Sequence, residues 1–133
     1  MSDILSSASL LLAILTTVFG LIYPTIKEVL DLKVASHKAD NSTNHKKALL
    51  IRKTRLIPLL LGSIILSLIF IPELIKQIAK SIKTFSKSGF DFNTYDTVMA
   101  SFIVVTLFMI TLTIIIIVIS VDYQKKVKLL RPS

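Results

Sequence analysis

The chain has 133 residues, of which 53% are hydrophobic and 18% charged, and its formal net charge is +8. A soluble domain of this size carries more charge on its surface, so the composition argues against a soluble globular fold. The chain contains no cysteine, which excludes disulfides, thiol catalysis and cysteine-based zinc sites.

Three long blocks of the sequence are apolar and contain no charged residue. About 20 such residues, at a rise of about 1.5 Å each, cross a hydrocarbon core of about 30 Å. We therefore predict an all-α integral membrane protein, a single membrane domain over 1–133 with three transmembrane helices. These are span 1 at about 4–24, span 2 at about 56–72 and span 3 at about 97–121.

Lys and Arg are unevenly distributed between the segments outside the spans. The residues before span 1 include none, the loop 25–55 has eight, the loop 73–96 has four and the tail 122–133 has four. Cytoplasmic loops of membrane proteins carry an excess of Lys and Arg. The distribution predicts an outside N-terminus, a cytoplasmic first loop, an external second loop and a cytoplasmic C-terminus.

The basic first loop has the pattern of a helical hairpin that extends spans 1 and 2 into the cytoplasm. Ile26 and Val29 lie on one helical face after the first span, and the polar residues 39–44 form a turn. A helix then restarts and leads into span 2. Pro58 is expected to bend the entry of that span because its ring disturbs the preceding helical turn.

The segment 72–85 has the composition of an amphipathic helix that lies in the membrane interface. Pro72 suits the first turn of such a helix, so we predict that span 2 ends there and a separate helix begins. The alternative is that this helix only connects spans 2 and 3 and packs on the bundle. Its apolar face consists of Leu74, Ile75, Ile78, Ile82 and Phe85, and its basic face of Lys76, Lys80, Lys83 and Lys87.

Small and hydroxyl-bearing residues form a stripe on each span. In lipid, helices associate through close packing of small residues and through interhelical hydrogen bonds of about 0.6–2 kcal/mol each. A bond to its own helix backbone explains any single hydroxyl, but a stripe on every span predicts helix contacts. The candidate helix-packing residues are Ser9, Ala13, Thr16 and Gly20 on span 1, Gly62, Ser63 and Ser67 on span 2, and Thr106, Thr113 and Ser120 on span 3.

The stripe on span 3 repeats every seven residues, which is typical of a left-handed packing seam. We expect Thr113 to face either the small-residue stripe of span 1 or the same span of a second copy. Ile116 is expected to lie off the seam, so that Ile116→Leu is tolerated whereas Thr113→Leu disturbs assembly.

Basic residues beside the spans predict contacts with anionic lipid headgroups or with a protein partner. Nucleic acid is not expected, because no aromatic residues are interleaved with the charges of the first loop. The candidate contact residues are Lys46, Lys47, Arg52, Lys53, Arg55, Lys76, Lys80, Lys83, Lys125 and Lys126.

The predicted spans contain no ionisable side chain, which argues against ion-coupled transport and proton pumping. His37, Asp40 and His45 come closest to a metal-ligand cluster, but their spacing matches no established pattern. The sequence has neither a glycine-rich phosphate loop nor a recognisable catalytic triad. We predict that the protein is not an enzyme and binds neither a cofactor nor a metal.

In layout, three spans with the N-terminus outside in a chain this short resemble class I phage holins. The layout also resembles small membrane immunity proteins that act against pore-forming bacteriocins. The second resemblance implies a non-catalytic membrane subunit that anchors, senses or regulates in a complex, such as a bacterial defence or immunity system. This is our main hypothesis, and the holin resemblance implies the alternative, a self-assembling membrane pore.

The basic first loop and the amphipathic second loop depart from a minimal holin, which favours the subunit. Either function requires membrane lipids and a homo-oligomer or another protein partner. Lys outnumbers Arg by 13 to 3 and Ile is abundant, as in AT-rich bacterial and phage genes. The expected location is therefore the bacterial inner membrane.

Overall fold

The computed structural model describes residues 2–34, 41–88 and 97–130. Three of its helices are long and apolar enough to cross a membrane, which confirms the prediction of an all-α, multi-pass membrane protein. The elements in chain order are α1 (Ser2–Leu30), α2 (Ser42–Ile51), a π-helical turn (Arg52–Leu56), α3 (Ile57–Ser88) and α4 (Thr97–Leu129).

The helix α4 packs extensively against both α1 and α3, whereas α1 and α3 contact each other less. Near the start of α4, Phe102 shares an apolar cluster with Ala8 of α1. Near the end of α4, Tyr123 shares a second cluster with Ile26 of α1. The two helices therefore run parallel to each other.

The helix α3 runs antiparallel to α4, and two side-chain contacts define the register. Ser67 meets Thr113 in the middle of the bundle, and Ser81 meets Met99 near the start of α4. The later half of α3 therefore lies beside the first turns of α4.

No helix break occurs at Pro72, because α3 continues through it to Ser88. The prediction that a separate helix begins at Pro72 is wrong, whereas the end of span 2 at about 72 stays a prediction. A proline removes one backbone donor, and membrane helices tolerate this where neighbouring groups satisfy the freed carbonyl. The first charged residue after Arg55 is Glu73, and the helix between them is ~27 Å long, which is close to a hydrocarbon core of ~30 Å. The uncharged part of α3 thus ends at Pro72, and α3 continues beyond it to Ser88.

Beyond Pro72, α3 rests on α4 along the boundary between its apolar and polar faces. Leu74 is buried, and Gln77, Ser81 and Thr84 follow it at helical spacing and are half-buried. These half-buried residues continue the buried face of span 2. Their position around the helix therefore determines which side of α3 contacts α4. The rest of the predicted apolar face lies on the surface of the chain, as do the lysines. The exposed apolar residues are Ile75, Ile78, Ile82 and Phe85.

A π-helical turn joins α2 to α3, where the Ile57 N–H donates to the Arg52 carbonyl five residues earlier. Pro58 accounts for this turn. Its ring clashes with the carbonyl four residues back, on Thr54, and offers it no donor. Widening the turn relieves that clash. Pro58 was predicted to bend the entry of span 2, but the π-helical turn was not predicted.

Around the ends of α1 and α4, a compact cluster of apolar side chains includes part of α2. Ile26 and Val29 of α1 are fully buried there, together with Ala48 of α2 and Tyr123 of α4. α1 continues past Pro24 to Leu30. Residues 35–40 lie outside the described residues, so the predicted hairpin turn stays a prediction. We call this region the Tyr123 end.

Candidate functional site

A pair of buried hydroxyls joins α3 to α4 inside the membrane. The Ser67 Oγ lies 2.7 Å from the Thr113 Oγ1. The Thr113 Oγ1 also lies 2.9 Å from the carbonyl oxygen of Met109 and 3.3 Å from that of Ser63. A threonine hydroxyl has one proton to donate. If Ser67 donates to Thr113, Thr113 is free to donate to a carbonyl, and both hydroxyl protons are then satisfied.

The partner of Thr113 is span 2, and the sequence analysis expected span 1 or a second copy. The antiparallel register of α3 and α4 brings the two hydroxyl stripes to the same level. Two further hydroxyls of the span 3 stripe, Thr106 and Ser120, are buried but bond within their own helix. Their oxygens each lie 2.8 Å from a backbone carbonyl four residues earlier.

The position of Ile116 differs from the expected one. Its side chain is buried on the same face as Met109 and Thr113. Spacings of three and four residues alternate along one face of a packing helix, so Ile116 belongs to the seam. The expectation that Ile116 is a neutral control position is wrong.

The small-residue stripe of span 1 is exposed along its whole length in the single chain. α1 instead packs through an apolar face that includes Ala8, Leu15 and Ile26. The stripe is rotated by ~100° from that face, at ~100° per residue. It therefore remains available to a helix from outside the chain. Its members are Ser9, Ala13, Thr16 and Gly20.

The two glycines assigned to helix packing have open space around them. A Cβ added at Gly20 or at Gly62 would meet no heavy atom within 4 Å. Gly62 is half-buried, beside the buried Ser63 and Ser67. Close approach of helices within this chain therefore does not depend on either glycine.

At the Tyr123 end, a buried tyrosine connects α4 to α2. The Tyr123 side chain is fully buried, and its hydroxyl donates to the Ala48 carbonyl over 2.6 Å. The same carbonyl also accepts the Arg52 backbone N–H. This contact was not predicted, although Tyr123, as the first aromatic residue after span 3, was the available signal.

Four of the ten basic residues predicted to meet headgroups or partners bond to other parts of the chain. Their bonds connect α2, the π-helical turn and α4 to neighbouring segments, so these side chains help to hold the Tyr123 end together. Lys47 pairs with Glu28 at 2.8 Å, Arg52 donates to Gln124 at 2.8 Å, Arg55 donates to Thr25 at 3.4 Å, and Lys126 donates to the Leu32 carbonyl. The other six are exposed: Lys46, Lys53, Lys76, Lys80, Lys83 and Lys125.

An open groove of about 300 Å³ lies between α2 and the end of α4. Leu49 and Val127 supply its apolar lining, and basic or hydrogen-bonding side chains supply the remainder. Its six lining residues are His45, Leu49, Arg52, Gln124, Val127 and Lys128. Of the possible metal ligands, His37 and Asp40 lie outside the described residues. Within the described ranges, no three His, Cys, Asp or Glu side chains are placed to hold a metal.

No protein-family model matches this chain, and neither a curated protein nor a solved structure matches it.

Proposed function

We propose that this protein is a non-catalytic membrane subunit that anchors or regulates a complex by binding another transmembrane helix. The supporting observation is the unequal use of the three stripes. Hydroxyls of α3 and α4 meet inside the chain, as in the 2.7 Å contact of Ser67 with Thr113. The stripe of α1 faces outward. Small residues let helix backbones approach closely in lipid, so this stripe suits a helix–helix interface.

A packed anchor also agrees better than a pore with the surroundings of the buried hydroxyls. A water-filled pore needs polar groups that face the water. Thr106, Thr113 and Ser120 are buried and bonded to protein atoms. Their hydrogen bonds support a role in holding helices together.

The proposed setting is a bacterial inner membrane, with the start of α1 outside and the end of α4 in the cytoplasm. The excess of Lys and Arg in the loop 25–55 supports this orientation. Single cysteines test it, since the chain has none of its own. In intact cells, an impermeant thiol reagent should label Ser86→Cys and spare Thr43→Cys. The reverse pattern would place the basic loop outside.

Disulfide crosslinking tests the α1 interface. Ala13→Cys lies on the exposed stripe, and Ile14→Cys is a matched control on an exposed apolar side of the same helix. We expect crosslinks from Ala13→Cys, either to a second copy or to a partner, and few from Ile14→Cys. Equal crosslinking from both positions would reject the stripe as an interface.

A bulky substitution then distinguishes loss of the helix–helix interface from loss of the fold. Gly20→Leu should abolish the Ala13→Cys crosslink while the chain stays folded, because the space around Gly20 is open. Expression of the protein alone should leave the membrane potential intact. Collapse of the potential would support the pore instead.

A further inference from the structure

We propose that the groove between α2 and α4 binds the phosphate group of an anionic membrane lipid. The groove combines two cationic side chains, Arg52 and Lys128, with His45 and an apolar lining. None of the six described residues that line it is acidic. This chemistry suits a phosphate group.

The orientation of the Arg52 guanidinium supports anion binding. One N–H, on Nη1, donates to the Gln124 Oε1 over 2.8 Å, which fixes the side chain at the groove. A guanidinium carries five N–H donors in a rigid planar fork, so this bond leaves donors for a phosphate. Arg52 is half-buried, so its charge is partly shielded from water.

The depth of the groove places its inner end among lipid headgroups. Arg55 marks the edge of the hydrocarbon core, and Arg52 lies ~4.5 Å farther along the helix axis. The headgroup layer on each side of a bilayer is ~5–8 Å thick. Arg52 therefore lies at the level of the lipid phosphates. Basic pockets between transmembrane helices are known to bind anionic headgroups.

The size of the groove agrees with one headgroup. Small-molecule sites span about 300–1,000 Å³, and this groove lies at the lower end of that range. Leu49 and Val127 lie on the water side of Arg52, ~4.5 Å farther along their helices from the hydrocarbon core. The headgroup depth of Arg52 favours a lipid phosphate over a free phosphate ion as occupant, because lipid phosphates are concentrated at that level.

Thermal unfolding of the full-length chain in a neutral detergent tests the proposal. Three probes are titrated separately: a short-chain phosphatidylglycerol, a short-chain phosphatidylcholine and inorganic phosphate. A ligand that binds only the folded state raises the unfolding temperature. We expect phosphatidylglycerol to raise it and phosphatidylcholine to have little effect. Equal stabilisation by both lipids would overturn the proposal. Saturating stabilisation by phosphate alone would overturn the lipid as occupant.

Substitutions distinguish a specific binding site from nonspecific electrostatic attraction. Arg52→Gln should weaken phosphatidylglycerol binding by about tenfold or more, the size of one lost hydrogen bond to a charged group. Lys125→Gln removes an exposed charge from α4 outside the groove lining. Lys125→Gln should lower phosphatidylglycerol affinity by about fivefold or less, which is the expected effect of one charge near an anionic surface. Equal losses from the two variants would reject the site.

Gln124→Glu tests the groove without removing the partner of Arg52. The new carboxylate keeps the size of Gln124 and pairs with the guanidinium, so the lipid-free chain should be at least as stable. The added negative charge should repel the phosphate and lower phosphatidylglycerol affinity. Unchanged affinity would contradict the proposal. The proposed anchor function rests on α1 and its crosslinks, so failure here would leave it standing.

Discussion

Two regions hold α4 to the chain segment 42–88, and they do so in different solvents. At the Tyr123 end, where charged residues such as Asp122 and Lys125 require water or headgroups, a large aromatic ring is buried and its hydroxyl bonds Ala48. In the membrane, Thr113 meets Ser67 between two helices that are surrounded by lipid. Hydrophobic burial drives packing where water is the alternative, but it adds little between helices in lipid. Hydrophobic burial therefore reinforces the hydroxyl contact at the Tyr123 end, whereas the contact in the membrane depends on close packing and on the hydrogen bond itself.

The largest effect should come from truncating the aromatic ring. Tyr123→Ala removes a fully buried ring and should lower the free energy of unfolding in detergent by about 3–5 kcal/mol. The matched control is Tyr23→Ala, because Tyr23 is 37% exposed. A similar loss from both variants would show that the Tyr123 end is no better packed than the surface.

Overpacking inside the membrane should have the second largest effect. Thr113→Leu inserts extra carbon atoms between α3 and α4, and we expect a loss of about 1–3 kcal/mol. Thr111→Leu is a close control, because Thr111 is exposed and also bonds the carbonyl four residues earlier. Denaturant unfolding in detergent measures both variants. Equal losses would show that the seam is not tightly packed.

Removing only the hydroxyls should have smaller effects in both regions. Tyr123→Phe should cost about 1 kcal/mol, because the Ala48 carbonyl keeps its bond from the Arg52 N–H. Thr113→Val should cost about 0.6 kcal/mol, the average for interhelical hydrogen bonds in membranes. If either loss equals that of the bulky substitution at the same position, hydrogen bonding rather than packing dominates there.

The smallest effect should come from exposed lysines. Lys47 pairs with Glu28 at the Tyr123 end, and both side chains are largely exposed. Exposed ion pairs contribute little because water and salt screen them. Lys47→Gln and Lys80→Gln should both leave the unfolding temperature within experimental error of the unmodified chain. A clear loss from Lys47→Gln alone would show that this pair is important in joining α1 to α2.

Composition and charge were sufficient to predict three membrane-spanning helices, because crossing lipid demands a length of apolar sequence. They were not sufficient to locate the end of the second helix. Pro72 was interpreted as a helix start, yet a proline inside a membrane helix is equally compatible with the sequence. The next charged residue, Glu73, ends the uncharged block but does not end the helix, which continues to Ser88.

The residue that a side chain contacts on another helix was harder to predict than the face of a single helix that is buried. The seven-residue repeat identified Thr106, Thr113 and Ser120, and all three are buried. It did not identify Ser67, because the register between two helices depends on the whole set of packed side chains. The contact of Tyr123 with Ala48 joins residues 75 positions apart, and no local pattern encodes it.

The π-helical turn has a consequence for helix phase. One residue advances an α-helix by ~100°, so deleting a residue from a regular helix rotates everything before it relative to everything after it. A π-helical turn holds one residue more than the α-helical turn it replaces. Deleting Thr54 would therefore remove the extra residue and keep α2 and α3 in phase, although it would restore the Pro58 ring clash that the wider turn relieves. Ala48 would still face Tyr123, whereas deleting Leu50 from α2 would turn Ala48 away from it.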